Sequence, residues 1–123
     1  MIRTTTINGD LWRVVRVPAG DPSLIDRTGT ERLATTDPST RTIHVSRDVQ
    51  APLLDRVILH EVAHAVTISW DLLPRLRQMV TNGATIEVEE WAARLIENHS
   101  IEALEAAREV LGRPVCVRGG CVD

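Results

Sequence analysis

The stretch Ile58-Leu59-His60-Glu61-Val62-Ala63-His64-Ala65-Val66 decides how this chain is read. Its centre, HEVAH, fits the pattern H-E-x-x-H. On an α-helix, residues four apart lie on one face, so His60 and His64 point the same way. Two imidazoles on adjacent turns can hold one Zn2+ at about 2.0–2.1 Å each. Glu61 stands one step round the helix, beside such a metal rather than on it. From there it can take a proton from a metal-bound water, as the general base of metal-assisted hydrolysis.

The flanks sharpen the motif. From Val57 to Ile68, His60, Glu61 and His64 are the main polar intruders in an otherwise apolar run. A helix apolar all round is expected to be buried, and buried polar groups need partners. A metal satisfies both imidazoles at once. The plainer alternative is a core helix whose histidines hydrogen-bond to backbone.

At 123 residues the chain is long enough for one domain with a real core. That domain is expected over residues 1–114, with 115–123 as a C-terminal tail. The formal net charge is −3, and all 14 basic residues are scattered Arg. No basic run forms, which argues against a nucleic-acid-binding surface. There are three Trp and no Phe or Tyr, so the core must be built from Leu, Ile, Val and Ala. The first residues carry no apolar signal-peptide core. No window approaches the roughly 18 uninterrupted apolar residues of a membrane span. With only two Cys, these features suggest a reducing, cytoplasmic setting and no membrane partner.

Leu11 to Val17 is rich in β-branched residues and reads as a strand. Glu31 to Thr36 and Arg41 to Ser46 read as two strands joined by Asp37-Pro38-Ser39-Thr40, which is turn chemistry. This hairpin leads straight into the metal helix, expected from about Pro52 to Ser69. Pro52 suits its first turn and Asp55 complements its dipole. Pro74 opens a possible short helix through Arg77, and Thr81-Asn82-Gly83 breaks it. Two further helices are expected, Thr85 to Asn98 and Ile101 to Leu111, the second stopped by Gly112-Arg113-Pro114. The fold class is therefore α+β: a small antiparallel sheet of about three strands, packed on the metal helix and on a Glu-bearing helix.

A catalytic zinc site needs three protein ligands and one open position. Glu87-Val88-Glu89-Glu90 supplies carboxylates at a helix start. Taking Val88, Trp91, Ala92, Leu95 and Ile96 as the apolar face, Glu89 lies about 80° from its centre. Glu90 points almost directly away. Glu89 is thus the first candidate for the third ligand and Glu90 the second; a solvated helix face is the alternative for any of these Glu. His44 and His99 are structural histidines on the plain reading. On the functional one they donate to a developing oxyanion, a task otherwise left to Arg because Tyr is missing. Cys116 and Cys121, spaced C-x4-C, are expected as thiols of the tail. A disulfide under oxidation, or a thiol folded back onto the zinc, are the alternatives.

HEVAHAV, preceded by the hairpin DPSTRTIHVS and followed by the Glu-rich helix EEWAARLIENH, resembles the ImmA/IrrE-type family of small zinc metallopeptidases. These often accompany prophages and mobile elements. The resemblance covers roughly Leu33 to Asn98. It implies a gluzincin site: His60 and His64 as zinc ligands, Glu61 as catalytic acid/base, and Glu89 or Glu90 as third ligand. It also implies a specific regulatory protein, such as a repressor, as substrate. The chain departs from the pattern four residues beyond that ligand, where an Asp or Asn is common. Here Ala93 (or Arg94) stands instead.

Two functional classes follow. In the first, the chain is a zinc metalloendopeptidase acting on a protein or peptide, with Glu61 moving the proton and the strand Arg41 to Ser46, if at a sheet edge, holding the substrate extended. In the second, it is a zinc-binding regulatory module with little or no turnover. Retention of Glu61 favours the first, since a structural site needs no base.

Overall fold

The computed structural model describes residues 2–26, 28–83, 85–117 and 120–122. The fold is α+β, as expected, but the sheet differs. It has four strands and is mixed, in the order β1 (Ile2–Ile7), β2 (Asp10–Val17), β4 (Thr42–Ser46), β3 (Ala34–Asp37). Both hairpins are antiparallel, while β2 and β4 run parallel, Val14 opposite Ile43 and Val15 opposite His44. The expected three-stranded antiparallel sheet missed β1. Its signal was present: Asn8-Gly9 takes positive φ at both residues (48° and 81°), the conformation of the tightest hairpin turns.

The Asp37 turn forms as its chemistry predicts. Asp37 Oδ1 accepts from the Ser39 N–H at 2.9 Å and its hydroxyl at 2.7 Å. The resulting β3–β4 hairpin places β4 inside the sheet and β3 at its free edge. The condition that Arg41 to Ser46 lie at a sheet edge is therefore not met; the edge strands are β1 and β3.

The helix that carries the HEVAH motif, α1, spans Leu53–Ser69. It buries Ile58, Val62, Ala65 and Val66 against the sheet residues Ile7, Trp12, Val14, Ile43 and Val45. It is not buried all round. Arg56, His60, Ala63 and His64 lie on an exposed stripe. The helix has neighbours on only part of its circumference, and its remaining side opens to solvent. Trp12 is fully buried, and its indole N–H donates to Ser69 Oγ at 2.7 Å, tying β2 to the end of α1.

Helix α2 (Leu73–Thr81) is longer than the segment expected from Pro74. The two later helices are one, α3 (Thr85–Leu111), of 27 residues. No Gly or Pro stands at Asn98-His99-Ser100 to break it, and Ala106, Ala107 and Val110 extend the contact with the core. The stop at Gly112 holds: φ is 73° and its N–H returns to Arg108 O at 2.8 Å.

The expected tail joins the fold. Val115–Val117 (β5) pairs antiparallel with Gly120–Val122 (β6), and Val115 is part of the core. Cys116 is disulfide-bonded rather than a free thiol, and the register sets Cys121, the chain's other cysteine, opposite it. Among the described residues, no helix is long and apolar enough to cross a membrane.

Candidate metal site

Helix geometry alone brings the two imidazoles together. His60 Nε2 and His64 Nε2 are 3.2 Å apart, with ring centroids at 4.9 Å and planes crossing at 76°. Two nitrogens sharing a tetrahedral zinc at about 2.05 Å would stand about 3.3 Å apart. The pair therefore fits one side of such a centre, and both rings are exposed to receive it.

Glu61 points elsewhere. Its residue is only 7% exposed, and Oε2 accepts a hydrogen bond of 2.5 Å from Thr36 Oγ1 on β3. Oε1 has no hydrogen-bond partner among the described residues.

All three residues line one open cleft of about 1160 Å³. Its walls are β3, the turn Pro22–Leu24, the His-bearing face of α1 and the start of α2. Asp71, with φ of 53°, turns the chain out of α1 so that Leu73, Pro74 and Arg77 complete the far wall. Asp tolerates this left-handed conformation better than most residues. Along the rim, hydrogen bonds from Thr28 and then Arg32 hold the Asp26 carboxyl well below the usual carboxylate range. Arg32 is taken up by that pair at 2.7 Å. Arg77 has no ion pair among the described residues.

The other candidates separate. His44 lines the cleft, half-buried. His99 does not. It packs under Trp70 with ring centroids 4.9 Å apart, its Nδ1 buried without a hydrogen bond and 3.9 Å from Glu102 Oε1. That oxygen already accepts from Trp70 Nε1 at 2.7 Å. Glu89 and Glu90 are both exposed near the start of α3 and line no part of the cleft. Among the described residues, no three His, Cys, Asp or Glu side chains are grouped closely enough to hold a metal. The imidazole pair is thus in place without a third protein donor beside it.

Sequence reasoning missed Thr36, Asp71 and Arg77. Nothing local marks Thr36, because its role depends on which strand of the hairpin faces α1. Comparison with protein-family models, characterised proteins and solved structures finds no match.

Proposed function

We propose that this chain is a zinc-dependent peptidase acting on an extended segment of a protein substrate, with Glu61 as its general acid/base. The observation that carries the reading is the pairing of two exposed imidazoles at zinc-sharing distance with a separately anchored carboxylate in the same cleft. His60 and His64 would hold the zinc. Glu89, the first candidate for the third ligand, lies outside the cleft. Bound zinc lowers the pKa of water toward about 7 and polarises a carbonyl oxygen.

The chain's own part is positioning and proton movement. Oε1 of Glu61 takes the proton of the attacking water and passes it to the departing amide nitrogen. The outer edge of β3 can receive the peptide. The Ser46 N–H bonds to Leu33 O at 2.9 Å, so by strand alternation Leu33, Thr35 and Asp37 turn their main chain toward β4. Ala34 and Thr36 turn theirs outward, into the cleft. A peptide paired there would run past His60 and His64 in extended form. Arg77 is a wall residue able to donate to a developing oxyanion, whereas His44 lies with Thr35 on the opposite face of the sheet from Ile43 and Val45, which pack on α1. The likeness to the ImmA/IrrE-type family adds a regulatory protein as the substrate class.

The test is incubation of the zinc-loaded protein with a mixed peptide library, read by mass spectrometry. Cleavage that disappears on chelation and in Glu61→Gln supports the peptidase. Full zinc content with no cleavage of any sequence favours the regulatory binding module.

A further inference from the structure

We infer that Thr36 is the positioning residue of Glu61, and that it couples the seating of a peptide on β3 to the orientation of that carboxylate. The coupling rests on the peptidase reading; the positioning does not. A glutamate on a helix has three side-chain torsions to settle before one oxygen can face a given point. Here one contact constrains them. The Thr36 hydroxyl has a single proton, and it stands 2.5 Å from Glu61 Oε2, against 3.4 Å from the Glu61 carbonyl. A bond that short from a hydroxyl to a carboxylate is of the strong, charge-assisted kind. The donor is itself held still. Threonine is stiff at χ1, and Thr36 sits in register with Ile43 of the interior strand β4. With Oε2 held by Thr36, Oε1 is the oxygen left without a hydrogen-bond partner among the described residues.

The same residue turns its main-chain N–H and C=O to the free edge of β3, where no strand pairs with them. A peptide adding to that edge would bond to Thr36 through the backbone while the Thr36 side chain holds the base. Docking and base orientation then share one residue. This explains why a threonine on an edge strand reaches across to a helix instead of packing an apolar side chain there.

The test compares the full chain as wild type, Thr36→Val and Thr36→Ser. Valine keeps the shape and removes the donor; serine keeps the donor. Each is loaded with zinc for turnover on a mixed library of internally quenched peptides. Each is also loaded with cobalt(II) in place of zinc, for its visible absorption spectrum. Expected for Thr36→Val are unchanged metal content, kcat lower by about 10-fold or more, KM nearly unchanged and a shifted cobalt spectrum. Thr36→Ser should restore both readings. Should Thr36→Val fail to fold, Thr36→Ala replaces it in the same comparison. If no form cleaves any peptide, but the cobalt spectrum shifts without the hydroxyl and returns with serine, the positioning stands and the peptidase reading falls. Normal kcat and spectrum without the hydroxyl, or equal damage in Thr36→Ser, would overturn the inference.

Discussion

Arg113 and Asp55, 58 residues apart, anchor the end of the chain to α1 through a two-pronged ion pair. Nη1 and Nη2 each donate to one oxygen of the carboxylate, at 2.6 and 2.5 Å. The Cys116 N–H adds a third bond at 2.7 Å. Asp55 is 1% exposed, in the first turn of α1, so Arg113 and Cys116 anchor the end of the chain to the start of that helix.

This anchor makes stability depend on acid. The hydrogen bonds from Arg113, chiefly, and from Cys116 hold the Asp55 carboxyl below the usual carboxylate range. The unfolded chain therefore takes up that proton first as pH falls. The contribution of Asp55 is complete above about pH 4 and is lost as pH drops through the lower folded value. Thermal melts across this range should show a falling Tm, with a shallower slope in Asp55→Asn. Arg113→Met should destabilise at neutral pH by about 2–3 kcal/mol, below the ~3–5 of a fully buried pair because the arginine is 39% exposed. Wild-type stability in Arg113→Met would show that the pair anchors nothing.

His60→Ala and His64→Ala are each expected to abolish zinc binding. On the sequence alone such changes are also expected to destabilise the fold, because they leave polar groups without a partner in a helix expected to be buried. Both imidazoles are exposed. The metal-free variants should therefore melt close to metal-free wild type. Only the zinc-loaded wild type should gain stability, by about 2.7 kcal/mol at free zinc 100-fold above the dissociation constant. Calorimetry with and without chelator checks this, and an unchanged melting temperature on chelation counts against a zinc site.

Glu61→Gln should keep its metal content, since the carboxylate is turned to Thr36 and not to the imidazoles. Turnover should fall by about 10²–10⁴-fold, the usual consequence of losing a positioned base. Elemental analysis and library cleavage on the same preparation read both effects. An unchanged rate removes Glu61 from the mechanism.

Glu89→Ala should lower zinc affinity by about 10-fold or more, while Glu90→Ala leaves it intact. Competition with a chromophoric chelator measures both. Glu89 stands outside the cleft, so a loss of affinity in Glu89→Ala alone would assign it to the site. Unaltered binding in Glu89→Ala would assign the third position to another donor.

Several features were readable from sequence because their causes are local. Helical spacing alone sets His60 and His64 side by side. Asp37-Pro38-Ser39 makes its own turn, and Gly112 stops α3 because only a residue at ease with positive φ can stand there. The hairpin at Asn8-Gly9 was equally local and could have been read. What tertiary structure decided are relations between segments far apart. Periodicity says which residues share a face, not what that face meets. So α1, apolar in sequence, turns out to expose its histidines, because the sheet and α3 cover only part of it. The parallel pairing of β2 with β4 makes β3 the edge, and that in turn sets Thr36 against Glu61, 25 residues away. The helical pattern of Glu87 to Ile96 likewise says which way Glu89 faces on α3. It does not say where that end of α3 stands relative to the cleft, because that is set by packing along the whole helix.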